Sequence, residues 1–298
     1  MTHYTQALKD LMPTKQFLVA IDSDGCVFDA MGIKQRECFC PMMIAYFGLQ
    51  PVAEAARQCK DFADLFSKTR GANRHKTMVQ ILAELLPSHP QVKARGFKVP
   101  QFKYYVEWVN NPASLLSNEG LKKAIEHAKN PEAEKELALA LKWSTRVNEM
   151  VAEVVKNLPP FLYVRESLEK VSKKADIIVC SSTPTEALQR EWAEHDVAKY
   201  AKVVAGQEMG SKAEHLAVMC EKYPKEKILM IGDAPGDQNA AKKNKTLFYA
   251  INPGKEDASW KRFCDEAFDK FIDGSYGGQY ENAVIAEFEK LLPEHPDW

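Results

Sequence analysis

Apolar segments alternate with amphipathic segments along the second half of the chain. Within each apolar segment, apolar and polar residues do not alternate strictly, which is typical of parallel strands buried on both faces. With one more near the N-terminus, the predicted strands are Phe17–Ile21, Asp176–Cys180, Lys202–Ala205, Ile228–Ile231 and Leu247–Ile251. Helical patterns separate the last four, at Pro184–His195, Lys212–Tyr223 and Gly236–Lys243. This order predicts an α/β fold with a doubly wound parallel sheet.

The long interval between the first two predicted strands has a helical pattern throughout. The predicted helices there are Lys34–Phe47, Val52–Lys68, Arg74–Leu86, Phe102–Asn110, Glu119–Ala128 and a long one near Glu132–Asn157. Prolines between them fit helix starts and linkers. We therefore predict an α/β core formed by residues 1–30 and 161–298, with an inserted all-helical domain at residues 31–160.

Composition narrows the class of protein. The 298 residues are 45% hydrophobic and 27% charged, as in ordinary globular proteins. Forty basic and 41 acidic residues give a net charge of −1, so no basic excess predicts a nucleic-acid or membrane partner. The N-terminal segment lacks the apolar core of a signal peptide, and no apolar run has the length of a membrane span. Seven irregularly spaced cysteines favour a reducing cytoplasm as the location of the protein. The oligomeric state is left open.

Polar residues follow several of the predicted strands. The first strand is followed by Asp22, Asp24 and Gly25, the second by Ser181, Ser182 and Thr183, and the fourth by Asp233 and Asp237. Lys212 begins the helix before the fourth strand. The carboxyl ends of parallel strands share one edge of a sheet, so we expect these side chains to converge there.

The chemistry of this set predicts a metal-dependent reaction. Four carboxylates at close quarters repel one another unless a cation lies among them, and hard oxygen ligands favour Mg²⁺. A carboxylate can attack phosphorus and form an aspartyl-phosphate. Asp24, two residues after Asp22, points to the same side of an extended chain and can donate or accept a proton.

The motifs resemble those of the haloacid dehalogenase (HAD) superfamily. "DSDGCVFD", "CSSTP", a lone Lys and "GDAPGDQNAA" follow one another in the order of that superfamily's DxDG, Ser/Thr, Lys and GDxxxD motifs. The resemblance implies a HAD-like Rossmannoid core, and the position of the insert is similar to that of a helical C1-type cap. Ser23 and Cys26 depart from the common form, in which hydrophobic and Thr residues are usual.

The resemblance also implies a role for each motif residue. Asp22 is expected to be the nucleophile, Asp24 the general acid and base with a backbone carbonyl on Mg²⁺, Asp233 a Mg²⁺ ligand, Asp237 a ligand or a support through water, and Lys212 a neutraliser of phosphoryl charge. Ser181 is expected to bind the phosphoryl oxygens. We favour it over Ser182 because it directly follows the strand, and we favour Lys212 over Lys202 and Lys222 because it begins a helix.

Asp24, the second Asp of the first motif, indicates phosphoryl transfer, since the dehalogenases of the family lack an Asp at this position. We predict a Mg²⁺-dependent phosphomonoesterase acting on a small phosphorylated metabolite. A phosphomutase is one alternative, and a phosphonate hydrolase, which needs a cap lysine such as Lys34 or Lys68, is another. A non-catalytic phosphate-binding module, such as a receiver domain, is the third, although receivers place the acidic pair before the phospho-acceptor Asp and the Lys last.

One basic run of the insert, "SKTRGANRHKTMVQ", has two interpretations. Arg70 and Arg74 could bind an anionic group of the substrate, because guanidinium groups match carboxylates and phosphates. An exposed basic helix start explains the run equally well.

Overall fold

One parallel sheet organises the α/β part of the molecule. The computed structural model describes residues 3–298, with side chains from residue 6 onward. In this described part, five strands form a sheet in the order β3-β2-β1-β4-β5. They are β1 (Phe17–Ile21), β2 (Ala175–Cys180), β3 (Val203–Ala205), β4 (Ile228–Gly232) and β5 (Leu247–Ala250). The predicted fold class is confirmed, and each predicted strand end lies within one residue of the observed end.

The sheet register places the ends of the central strands at one level. β2 and β4 are buried along their whole length, which suits their apolar and β-branched residues. Ile21 of β1 pairs with Val179 on one side and Ile231 on the other. The N–H of Asp22 then donates to the carbonyl of Ile231 at 2.9 Å. Residues that follow these strands therefore begin at the same edge of the sheet.

Contacts divide the chain into two units. The α/β unit comprises residues 1–31 and 157–293, of which residues 1 and 2 lie outside the described part. Its helices, numbered along the whole chain, are α1 (His3–Asp10), α11 (Val164–Ser172), α12 (Thr185–Glu194), α13 (Lys212–Cys220), α14 (Pro235–Asn244), α15 (Glu256–Arg262), α16 (Phe268–Asp273) and α17 (Gln279–Lys290). The sequence pattern left α15–α17 unassigned. Their buried aromatic residues, such as Trp260 and Phe268, belong to the core of this unit.

The second unit is helical and comprises residues 32–156 and 294–298. Its helices are α2 (Ala30–Ile33), which spans the boundary, α3 (Cys40–Tyr46), α4 (Ala53–Leu65), α5 (Arg74–Gln80), α6 (Leu86–Ser88), α7 (Pro90–Ala94), α8 (Lys103–Asn110), α9 (Asn118–Glu126) and α10 (Pro131–Val154). Wider π-helical stretches at Lys34–Phe39 and Ile81–Leu85 continue α2 into α3 and α5 into α6. Of the helices in the described residues, none combines the length and apolar character needed to cross a membrane.

The last residues of the chain differ from the predicted domain bounds. The prediction assigned residues 161–298 to the α/β core, whereas contacts place residues 294–298 with the helical unit. The ring of Trp298 lies 5.6 Å from that of Phe62 and 5.1 Å from that of His89. A large aromatic side chain gains most by covering apolar surface, which explains why the tail packs on these helices.

Candidate active site

The loop after β1 holds the first two carboxylates. Asp22 is buried, with 4% of its surface exposed, and Asp24 is half-buried. The chain then turns at Gly25, whose φ of +78° lies in the left-handed region that favours glycine. The N–H of Gly25 donates to the carbonyl of Phe28 at 2.8 Å. The turn thus keeps both carboxylates at the carboxyl end of the central strand.

Lys212 joins this loop to the loop after β4. It begins α13 next to Ser211, whose side chain caps the helix together with Glu214. The Lys212 Nζ lies 2.7 Å from Asp22 Oδ2 and 2.5 Å from Asp237 Oδ1. Burial disfavours the charge on Lys212, but the two carboxylates outweigh burial and raise its pKa. The ammonium is therefore held as a permanent cation between them.

The two alternative lysines lie at other places in the molecule. Lys202 approaches Asp176 at 3.8 Å, and Lys222 donates to the carbonyl of Lys9 at 2.5 Å. Of the lysines that the sequence offered, Lys212 is the one that the structure brings to Asp22.

Gly232 allows Asp237 to approach the end of β4. A Cβ atom at position 232 would lie 2.3 Å from the Asp237 Cγ, far inside contact distance. The Asp237 Oδ2 accepts a hydrogen bond from the N–H of Ala234 at 3.1 Å, and its Oδ1 contacts Lys212. Both oxygens of Asp237 are thus held by protein groups at the start of α14.

The acidic side chains form a buried cluster. One oxygen each of Asp22, Asp233 and Asp237 lies within 4.8 Å of the others, and all three residues are buried. Burial raises the pKa of Asp22 to about 6; Lys212 opposes the shift and Asp237 adds to it. Burial also raises the pKa of Asp237. Asp22 Oδ1 is buried and has no hydrogen-bond partner. The cluster therefore carries more negative charge than Lys212 alone neutralises.

Hydroxyl groups follow β2. Ser181 is buried, and its Oγ accepts a hydrogen bond from the N–H of Thr183 at 3.2 Å, whereas Ser182 is exposed. The Thr183 Oγ1 donates to Asp24 Oδ2 at 2.8 Å. The motifs alone indicate no role for Thr183, although it stands in the hydroxyl run that follows the strand. The contact of Ser181 with a phosphoryl group stays a prediction.

Arg70 and Arg74 belong to the helical unit and are used within it. The Nη1 of buried Arg70 donates to the carbonyl of Leu65 at 2.8 Å. The Nη1 of Arg74 donates to Asn148 Oδ1 at 2.7 Å and to Ser144 Oγ at 3.1 Å. These bonds give both guanidinium groups a structural task, and their contact with a substrate stays a prediction.

Comparison with known protein families identifies the family to which this chain belongs. The family described as "Haloacid dehalogenase-like hydrolase" matches residues 98–251, which is more than half of the chain. The chain belongs to this family. The match covers the loops after β2 and β4 and the Lys212 helix, and it begins after the Asp22 loop. The predicted superfamily is thus confirmed.

Several solved structures are similar to this chain at low sequence identity. A putative phosphoglycolate phosphatase from Lactobacillus delbrueckii subsp. bulgaricus is 17% identical with a TM-score of 0.50, over 89% of this chain and 100% of that one. A putative beta-phosphoglucomutase from Thermotoga maritima is 18% identical with a TM-score of 0.41, over 78% and 84%. A haloacid dehalogenase-like hydrolase from Streptococcus pneumoniae is 13% identical with a TM-score of 0.43, over 85% and 93%. A search of curated proteins finds no match.

Proposed function

We propose that the protein is a Mg²⁺-dependent phosphomonoesterase that acts on a small phosphorylated metabolite through an aspartyl-phosphate on Asp22. The observation that carries the proposal is the state of the Asp22 carboxylate. Its Oδ2 contacts Lys212 at 2.7 Å, and its buried Oδ1 has no hydrogen-bond partner. An unsatisfied oxygen of a buried carboxylate lowers the stability of the fold. Its presence therefore supports a role for this oxygen in the reaction.

The acidic cluster fits a Mg²⁺ ion. Carboxylate oxygens are hard ligands, and Mg²⁺ commonly takes one or two of them together with water and a substrate phosphate. Asp22 and Asp233 would hold the ion, and Asp24 would add its backbone carbonyl. Asp237, whose oxygens accept from Ala234 and Lys212, would support the site through water or as a further ligand. When bound, the ion would neutralise carboxylate and phosphoryl charge.

The chain's own residues would carry the reaction in two steps. In the first, an oxygen of Asp22 bonds to phosphorus, the ester P–O bond breaks, and Asp24 donates a proton to the leaving alkoxide. In the second, Asp24 takes a proton from water, whose oxygen attacks phosphorus and releases phosphate and Asp22. Thr183 would orient Asp24 through its 2.8 Å hydrogen bond.

The remaining partners of the phosphoryl group are assigned by charge and position. Lys212 would stabilise the negative charge that spreads over the equatorial oxygens and would keep Asp22 in place. Ser181, with Ser182 as the alternative, would donate to a phosphoryl oxygen. Arg70 and Arg74 stay as proposed contacts for an anionic group of the substrate.

The cellular setting is part of the same proposal. The chain has seven cysteines, and all seven are free thiols. Free thiols persist in reducing compartments, which supports the cytoplasm as the place of action. The proposed partner is a small phosphorylated metabolite, without nucleic acid or membrane.

A phosphate-release screen tests the function. The purified chain, freed of metal by a chelator, is assayed with p-nitrophenyl phosphate and with a panel of phosphorylated metabolites that includes phosphoglycolate. We expect no turnover without metal and release of inorganic phosphate after Mg²⁺ is added. Transfer of the phosphoryl group within a substrate, without release, would identify a phosphomutase. Turnover of phosphonates alone would identify a phosphonate hydrolase, and no turnover of any compound would favour a binding module.

A further inference from the structure

Ser23 stands between Asp22 and Asp24 and is bonded to a neighbouring helix. Its side chain is fully buried. The Ser23 Oγ donates to Glu191 Oε2 at 3.1 Å and accepts from Trp192 Nε1 at 3.0 Å. Both partners lie on α12 of the same unit. The residue between the two carboxylates is therefore fixed by two side-chain hydrogen bonds.

The backbone of Ser23 organises the rest of the loop. Its carbonyl accepts hydrogen bonds from the N–H groups of Cys26, Val27 and Phe28 at 3.2, 2.8 and 3.2 Å. Asp22 and Asp24 flank it directly in the chain. Any displacement of Ser23 would consequently move both carboxylates and loosen the turn that follows.

Aromatic packing adds to the same attachment. The indole of Trp192 is fully buried and meets the Phe28 ring edge to face, with centroids 6.1 Å apart. On the other side of the turn, the indole Nε1 of Trp260 donates to the carbonyl of Cys26 at 2.7 Å. Two buried tryptophans thus hold the loop that carries the carboxylates.

The burial of the Ser23 hydroxyl is explained by its hydrogen bonds. Burying a hydroxyl is unfavourable unless it is hydrogen-bonded, and an apolar residue here would leave the indole N–H of Trp192 without its Ser23 partner. The side chain of serine is short, so its two bonds to α12 restrict the backbone on either side. Restriction of this kind is what precise placement of reacting groups requires.

We propose that Glu191 and Trp192, acting through Ser23, position Asp22 and Asp24 for the reaction. Ser23 is a positioning residue, since the reacting atoms belong to its two neighbours. The inference rests on the proposed phosphomonoesterase function. It assigns a task to the Ser23 position, at which the chain departs from the common motif.

The test compares Ser23→Ala with a matched control. Ser259→Ala also removes a buried hydroxyl with two hydrogen bonds, from the N–H of Asn252 and to the carbonyl of Lys255, at a place outside the proposed site. We measure kcat and KM on p-nitrophenyl phosphate with Mg²⁺. S23A should lower kcat about 10- to 100-fold with little change in KM, the size expected for misplaced reacting groups. S259A should keep the wild-type kcat.

Further variants separate positioning from simple loss of packing. Ser23→Thr keeps the hydroxyl and should recover most of the lost kcat. Trp192→Phe keeps an aromatic ring at this position but removes the N–H donor, and it should lower kcat as S23A does. When W192F is combined with S23A, the losses should not add, because both variants break the same hydrogen bond.

Amide hydrogen exchange gives a readout that does not depend on activity. In the metal-free protein, S23A should accelerate exchange at Cys26, Val27 and Phe28, whereas S259A should leave these amides protected as in the wild type. Equal protection in S23A and the wild type would overturn the proposal, whatever the assays show. So would an S23A enzyme as active as S259A. A wild type that turns over no phosphate ester would instead contradict the proposed function, and the exchange comparison would still decide the role of Ser23.

Discussion

Both units bury charged side chains, but the charges balance differently. In the α/β unit, the buried carboxylates of Asp22, Asp233 and Asp237 lie together, and Lys212 contacts two of them, Asp22 and Asp237. In the helical unit, Lys60 and Asp64 form a one-to-one pair at 2.8 Å, with 0% and 2% of their side chains exposed. The first arrangement groups three carboxylates at one place, whereas the second sets one cation against one carboxylate.

The surroundings of the helical pair support this contrast. The Thr77 Oγ1 donates to Asp64 Oδ1 at 3.0 Å. The Lys60 Nζ lies 5.0 Å from the centre of the Phe39 ring, and the Arg74 Cζ lies 4.7 Å from it. Cations over an aromatic face are stabilised without a carboxylate. Burial of charge alone therefore does not distinguish the two units; the proposed site differs by grouping carboxylates at the end of parallel strands.

The largest expected effect comes from Asp22→Asn. The variant replaces the proposed nucleophilic carboxylate with a neutral, weakly nucleophilic amide, so turnover should fall by about 10⁴-fold or more, as when a nucleophile is removed. It should stay folded, because it removes one of several mutually repelling charges. Phosphate release and circular dichroism check both statements.

Asp176→Asn is the matched control for D22N. Asp176 is a buried carboxylate of the same unit that accepts hydrogen bonds from Thr14, Lys15 and Tyr223. This variant should lose about 1–3 kcal/mol of stability and keep its turnover. Full activity in D22N would remove the basis for calling the acidic cluster reactive.

The next effect concerns the helical pair. Lys60→Met leaves Asp64 as a buried, unpaired carboxylate and should destabilise the protein by about 3–5 kcal/mol. Adding Asp64→Leu should restore most of this loss, since a buried pair can be replaced by apolar residues. Urea unfolding measures both. If the stable double variant lost turnover, the pair would have a part in substrate binding, and the contrast between the units would fail.

The smallest effect is a pH dependence of stability. Burial, followed by the charge of Arg74, lowers the pKa of His75 to about 3, and its Nδ1 lies 2.9 Å from the Tyr105 hydroxyl. The unfolded chain takes up a proton near the ordinary pKa of about 6.5, whereas the folded chain resists it. The contribution of neutral His75 to the free energy of unfolding is therefore fully present above about pH 6.5 and is lost as pH falls towards 3. His75 should contribute about 2 kcal/mol of the loss between pH 7 and pH 5.

His75→Gln should reduce that loss, and His127→Gln, at an exposed position, should not. The α/β unit offers a parallel case, because burial lowers the pKa of His215 to about 4. Urea midpoints at the two pH values measure the difference. An unchanged loss in H75Q would show that other groups dominate the acid sensitivity of the helical unit.

Much of the α/β unit could be predicted because its pattern is local. Runs such as Phe17–Ile21 are apolar, short and bounded by polar residues, so periodicity and length identify them. The same patterns placed Asp22, Lys212 and Asp237 at strand and helix ends, where the structure brings them together. The order of motifs then supplied the family.

Long-range contacts between side chains could not be predicted in this way. The bond from Thr183 to Asp24 and the bonds of Ser23 to α12 join residues about 160–170 positions apart, and no local pattern encodes them. Helices α15–α17 were not predicted from the sequence. Trp298 packs on a distant part of the chain, which a domain boundary drawn from linkers cannot reveal.

The close approach at Gly232 has a consequence for variation at that position. Even a methyl group there would overlap the buried Asp237 carboxylate, and neither the strand nor the start of α14 has space into which it could retreat. Randomising this codon and selecting for turnover should return glycine alone, whereas the codon of exposed Asn239 on α14 should accept many amino acids. The tolerance of a single position thus reports how tightly the end of a strand is fitted to the helix that follows it.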